Sequence, residues 1–156
     1  MLSQTLLRMG LWTSLGAWVG SWAFFAFVVS RIAFQVLPGD IAGDLAGDLL
    51  TRLHWGGVAA AILVAGCGHA LGRRGWVILL PVGLAFICLF NELWVSPEVA
   101  LVRPSTLGEA SSELTASRFR ILHRLSLGLF LGVHLASMSL IVRHASLDAR
   151  EAKAGS

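Results

Sequence analysis

The sequence predicts an all-α, polytopic membrane protein: a four-transmembrane-helix bundle with a short amphipathic surface helix between spans one and two. Three observations predict it. Of 156 residues, 56% are hydrophobic and only 13% charged, and mean hydropathy is +0.75. A soluble domain runs at about 45–50% apolar and about 25% charged, so both departures point away from a water-soluble globule. Apolar runs of the roughly 20 residues that a membrane crossing needs occur four times. With no water in hydrocarbon to satisfy the backbone, the crossing elements are helices.

Met9 to Ser30 is a run of 22 residues without a charge, bounded by Arg8 and Arg31. It is too long for the roughly 7–15-residue core of a cleavable signal peptide and reads as a retained first span, 9–30. The second span, 53–72, is stopped by Arg73 and Arg74; the third, 75–95, ends before Pro97. The fourth, 122–142, lies between Arg120 and Arg143. Residues 1–143 thus form a single four-span membrane domain, and 144–156 a polar tail expected to fray. Only Gly72 to Gly75 separates spans two and three, which predicts a tight helical hairpin.

Two connections are longer. Arg31 to Arg52 carries Asp40, Asp44 and Asp48 at i, i+4, i+8, which puts three carboxylates on one helical face, with Ile41, Leu45, Leu49 and Leu50 on the other side. Pro38-Gly39-Asp40 reads as a turn feeding this helix, which is expected to lie at the membrane surface, with Asp48 pairing Arg52. Three Asp spread over two turns do not converge on one ion, so a metal site is not expected. The second connection, Ser96 to Phe119, is polar, with Glu98, Arg103, Glu109, Glu113 and Arg118, and leaves open one helical turn or two.

Eleven Arg and one Lys against nine acids give a net charge of +3. The Arg residues are scattered singly and form no basic stripe, so nucleic acid is not an expected partner. Cys67 and Cys88 both lie in apolar runs and offer neither a disulfide framework nor a zinc site, and no CxxCH is present for covalent haem. The Lys and Arg count is tied at six on each side of the membrane. Arg73 and Arg74 occupy the shortest loop, where the positive-inside rule acts most reliably, and this favours cytoplasmic termini in an inner (plasma) membrane.

Small residues recur at GxxxG spacing as Gly16/Gly20, Gly68/Gly72 and Gly128/Gly132. Packing within the bundle is favoured over a dimer face for these. Trp55, Trp76 and Trp94 sit near span ends, as interfacial anchors do. His123 and His134, eleven residues apart on span four, share a face about 16 Å apart. His54 and His69 lie near opposite ends of span two, so His54 with His123, and His69 with His134, could each clamp a haem b iron. The competing reading makes His54 and His123 interfacial and leaves His69 and His134 hydrogen-bonding within the bundle.

Asn91 and Glu92 are the sharpest polar pair inside an apolar run, and Glu92 is open to either a snorkelling or a buried reading. Four-span topology gathers Arg31, the Asp stripe, His54, Asn91, Glu92, Trp94, His123 and Ser126 on one side. The candidate polar cluster is therefore Asn91, Glu92, His123 and Ser126, centred on an Asn91–His123 hydrogen bond where spans three and four meet. Either it fixes packing alone, or it serves a ligand or proton relay.

Three segments carry a resemblance. Gly16-Ala17-Trp18-Val19-Gly20 with Phe25, Phe34, Leu37-Pro38 and Gly43 resembles the opening of the transmembrane protein 205-like family. Asn91-Glu92-Leu93-Trp94 with Pro97 is similar to the end of that family's third helix, and Phe119 with His123 and Ser126 to the start of its fourth. The resemblance implies a four-helix membrane protein, a domain of unknown function in bacteria and in animals a protein linked to cisplatin resistance, with no established reaction. Carried over, its residues here are Gly16, Trp18, Gly20, Pro38, Gly43, Asn91, Pro97, Phe119, His123 and Ser126. Ser30-Arg31 departs from the apolar, proline-bearing stretch of many bacterial relatives.

Together these readings describe an integral membrane protein of unknown molecular activity. It is expected to handle a small solute or metal complex, or to serve as accessory subunit of a membrane complex. The alternative is a haem-b electron-transfer protein using the paired His. No nucleophile–base pair, phosphate loop or closed metal constellation stands in the sequence, so an enzyme is not expected. The expected partners are the lipid bilayer and either another membrane protein or a second copy.

Overall fold

The computed structural model describes residues 2–103 and 112–154, and these are helical apart from short turns. Glu109, in the second long connection, lies outside the described residues. Helix α1 (Leu2–Phe24) passes through a π-helical turn, Phe25–Val29, into α2 (Ser30–Val36). Leu37 then turns extended (φ −105°, ψ 152°), as a residue before proline must, and Pro38 starts α3 (Gly39–Ala70). Helix α4 (Trp76–Phe90) likewise runs through a π-helical turn, Asn91–Val95, into α5 (Ser96–Val102), and α6 (Glu113–Ala154) closes the fold. Four helical stretches, Ser3–Val36, Gly39–Ala70, Trp76–Val102 and Glu113–Ala154, are long and apolar enough to cross a membrane. The protein is an all-α integral membrane protein with four such helices.

The hairpin between α3 and α4 is as tight as its spacing predicts. Gly72 and Gly75 take φ of +77° and +73°, a region where only glycine is unstrained. Gly72 N–H donates to the His69 carbonyl and Arg73 N–H to that of Gly68, the paired bonds of a Schellman cap. At the far end, Ser112 caps α6 by accepting from the Thr115 amide at 3.3 Å.

Packing follows a seven-residue rhythm. Buried positions run Leu11, Leu15, Trp18, Trp22, Phe25 on α1 and His54, Gly57, Ala61, Val64, Gly68 on α3. They continue as Val77, Pro81, Leu84, Cys88, Asn91, Val95 on the third crossing and Phe130, Val133, Ser137, Leu140, His144 on α6. Steps of alternating three and four residues keep one seam of each helix facing its neighbours, as in a left-handed coiled coil. α1 packs on α3 and α6, and α4 packs on the same two helices, so the crossings form a ring. Trp22 stacks on Phe130 with centroids 4.5 Å apart, joining α1 to α6 through the centre.

Three expectations change. The Asp40/Asp44/Asp48 stripe is helical, with all three carboxylates exposed, but it is no separate surface helix. It forms the first turns of the 32-residue α3, because nothing between Pro38 and Gly72 breaks the helix. Asp44 takes an ion pair across the fold from Arg103 at 2.5 Å. The tail does not fray: α6 continues to Ala154, because His144 extends the buried seam and Asp148 and Glu151 meet cations of other helices. Finally, Gly16, Gly20, Gly128 and Gly132 face outward with no atom near the position a Cβ would take. Of the GxxxG glycines, Gly68 is the one packed in the bundle, against Ile78, while Gly72 serves the turn.

Candidate functional site

His54 projects from α3 into the bundle and is 1% exposed. Its position is the start of α3's buried seam, one turn before Gly57. Asn91 and Glu92 reach it from the π-helical turn that ends α4. Such a turn inserts one extra residue per turn, and here that advance lets two consecutive residues meet the same imidazole. Asn91 Nδ2 donates to His54 Nε2 at 2.8 Å, which leaves the ring proton on Nδ1, where it donates to Glu92 Oε2 at 2.9 Å. A second Asn91 amide contact goes to Ser126 Oγ on α6 at 3.4 Å. Three crossings therefore converge on one polar point.

The surroundings are apolar and close-packed. Trp22 meets the His54 ring edge-on at 5.9 Å, and Phe130 backs Trp22. The gap bounded by Trp22, His54, Cys88, Asn91, Phe130 and Val133 has no room for a water-sized probe. A Cβ at Gly57 would stand 3.2 Å from Trp18 Nε1, 3.3 Å from Cys88 Sγ and 3.4 Å from Trp22 Cζ2, so a larger residue there would require its neighbours to shift by a few tenths of an ångström. Glu92, with 13% of its side chain exposed, is the cluster's link to the outside. Two buried polar atoms beside it, Asn91 Oδ1 and Trp18 Nε1, have no partner among the described residues.

The cluster sits at a definite depth. Asn91 is 15 residues from the start of α4, His54 17 from Leu71, and Ser126 17 from Arg143. At about 1.5 Å per residue all three stand about 22–25 Å from the hairpin end. With the hairpin end set at one face of a hydrocarbon layer about 30 Å thick, the cluster stands about 5–8 Å short of the other.

Of the four residues expected to cluster, Asn91, Glu92 and Ser126 come together and His123 does not. His123 is exposed and stacks on Phe119 at 5.6 Å, so the expected Asn91–His123 bond is replaced by Asn91–His54. The reason is the ring order: Asn91 faces α3 as well as α6, and the assumption of a private contact between consecutive spans is too narrow. The Glu92 alternative resolves toward the interior, since its carboxylate holds a buried ring rather than snorkelling. The proposed haem pairs are not assembled either. Both nitrogens of His54 are engaged while His123 lies outside; His69 is exposed, whereas His134 is buried beside Phe130. No grouping of three or more His, Cys, Asp or Glu suited to a metal ion occurs among the described residues. Of the remaining resemblance positions, Trp18 is in the core, Pro38 starts α3, Gly43 is half-buried and Pro97 opens α5.

The sequence reading missed a second polar centre, at the hairpin end. Arg73, 5% exposed, hydrogen-bonds His144 Nδ1 through Nη1 and Asp148 through Nη2. Trp12 Nε1 donates to Asp148 Oδ2 at 2.9 Å, and Arg8 binds Glu151 at 2.6 Å. A signal was available: His144, Asp148 and Glu151 continue the three–four spacing of Val133, Ser137 and Leu140.

Residues 13–104 match a family model described as a domain of unknown function (DUF4149). The match covers more than half of the chain, which belongs to this family. No curated protein and no solved structure matches it.

Proposed function

We propose that this DUF4149 protein handles a proton, the one cation its packing has room for, at the His54–Glu92–Asn91–Ser126 cluster. The observation that carries this reading is a carboxylate held 2.9 Å from a fully buried imidazole beside a gap with no room for water. A neutral His54 leaves the Glu92 charge uncompensated in a poorly solvated place, where charge attraction is far stronger than in water. The cluster thus has a standing demand for one positive charge. With a proton on both ring nitrogens, Asn91 can rotate its amide and offer Oδ1, the atom without a partner, to Nε2–H. Two states, cation-free and cation-loaded, can both be satisfied by the same four side chains.

The test is a histidine nitrogen NMR titration of the protein in lipid nanodiscs. The expectation is an Nδ1–H tautomer for His54 and a second ring proton on acidification. Glu92→Gln should move the Nδ1–H proton signal upfield, because a neutral amide oxygen is a weaker acceptor than a carboxylate. His54 signals indifferent to acidification and to Glu92→Gln overturn the reading. A Soret band in the purified protein would favour the haem alternative instead.

Two finer assignments accompany this reading. A place in the transmembrane protein 205-like family rests on the sequence blocks around Gly16, Trp18, Pro38, Asn91 and His123 alone; the family model matched over residues 13–104 is a different description. We likewise propose an inner-membrane location with cytoplasmic termini, an orientation that Arg73 and Arg74 in the short hairpin favour. The outward Gly16/Gly20 and Gly128/Gly132 faces favour a second reading, an accessory subunit packing there on another membrane protein or a second copy. Subunits copurifying in mild detergent, lost on Gly16→Leu, would support it.

A further inference from the structure

The hairpin end carries more positive charge than its own acids answer. Asp148 and Glu151 pair with Arg73 and Arg8, whereas Arg74 and Arg143 are in no ion pair among the described residues. These groups border a notch of about 250 Å³ whose walls include Arg73, Arg74, Trp76, Val77, Arg143 and Glu151. At about 30 Å³ per water molecule, that is room for roughly eight waters, or for a phosphate group with part of its ester.

Three further features belong to the residues around this space. The Nε atoms of Arg73 and Arg143 are both buried without an acceptor, although a guanidinium is an all-donor group. Helix α4 begins at the notch. Ile78 and Leu79 donate to the Gly75 carbonyl, so the amides of Trp76 and Val77, first in the helix, have no intrahelical acceptor. The Arg143 guanidinium lies 6.0 Å from the Trp76 ring centroid, a cation–π contact that holds one wall in place. Arg73, Trp76 and Arg143 also mark where the apolar crossings end, the depth of lipid headgroups.

We propose that this notch binds a phosphate group, carried by the headgroup of an anionic phospholipid or by free phosphate. Arg74 and Arg143 supply the charge, the α4 amides supply fixed donors, and Glu151 sets the affinity from the opposite side by repulsion.

The full-length protein in neutral detergent tests this by native mass spectrometry with phosphatidylglycerol, phosphatidylcholine of the same chains, and inorganic phosphate. Phosphatidylglycerol should be retained about tenfold better than phosphatidylcholine, the scale of a charge-assisted pair. Arg74→Gln/Arg143→Gln should remove that preference, and Glu151→Gln should increase retention. Thermal unfolding verifies that each variant is folded; should the double variant fail to fold, Arg74→Gln alone, at an exposed residue, should still cut retention about threefold. Equal retention of both lipids, undiminished binding by the folded arginine variants, or weaker binding by Glu151→Gln overturns the proposal. Displacement of the lipid by millimolar inorganic phosphate identifies free phosphate as the source, and resistance to it identifies the lipid.

Discussion

Each end of the bundle buries a histidine beside a charged partner, and the two partners have opposite sign. At one end His54 donates to the Glu92 carboxylate and accepts from Asn91. At the other, His144 accepts from the Arg73 guanidinium, which also holds Asp148. A carboxylate against an imidazole is completed by an added proton, because protonation converts the hydrogen bond into an ion pair. A guanidinium against an imidazole is disrupted by one, because the added charge repels. The first arrangement suits a site that changes charge; the second suits a fixed clasp, tying the hairpin to α6 through Arg73 and α1 to α6 through Trp12 and Arg8.

If the hairpin end is the clasp, Arg73→Ala should have the largest effect on stability. It leaves Asp148 and His144 without their buried donor, and breaking a buried ion pair costs about 3 kcal/mol or more. Thermal unfolding in detergent would read this as a clear loss of midpoint; a change near zero would remove the distinction between the two ends. Gly57→Ala comes next. The added methyl meets Trp18, Cys88 and Trp22, and overpacking of this kind costs about 1–3 kcal/mol, partly offset by about 1 kcal/mol of helix propensity.

The polar cluster should be cheap to break. Asn91→Ala removes one bond to His54 and a long one to Ser126, and interhelical hydrogen bonds in membranes average about 0.6 kcal/mol. A loss of several kcal/mol would recast the cluster as structural. Arg103→Ala should be smallest. It deletes an ion pair whose Asp44 partner is half exposed, worth at most about 0.5 kcal/mol and screened by salt. A double-mutant cycle with Asp44→Ala measures that coupling.

The four crossings were legible because membrane helices announce themselves by length and lack of charge. The seam inside them was not. Leu11, Leu15 and Trp18 face the core, yet their neighbours facing lipid are equally apolar, so periodicity carries little contrast. Hydrophobicity does not separate Val64, buried, from Leu63, exposed. Polar residues carried the information instead. Asn91 and Glu92 stand out in the sequence, and Ser126 on span four lies 3.4 Å from the Asn91 amide. The sequence places their partner, His54, on the same side of the bundle, as a haem ligand or an interfacial residue, but does not pair it with them, because a pairing between spans three and two depends on the ring order and on a π-helical turn that no local spacing reveals. The tail was misread for a related reason: Asp148 and Glu151 look like solvated charges until Arg73 and Arg8 are brought against them.

The separation of the two polar ends sets a length against which a bilayer is gauged. Measured along the helix axes from Leu71 and Arg143, the histidine cluster stands about 25 Å away. Natural bilayers differ by a few ångströms, from about 27 Å of hydrocarbon in thin membranes to about 33 Å in sterol-rich ones. With the arginine end fixed at the headgroups, the cluster lies about 2 Å beneath the far surface of the thin membrane and about 8 Å beneath that of the thick one. With that anchoring, lipid thickness sets how far Glu92 stands from interfacial water.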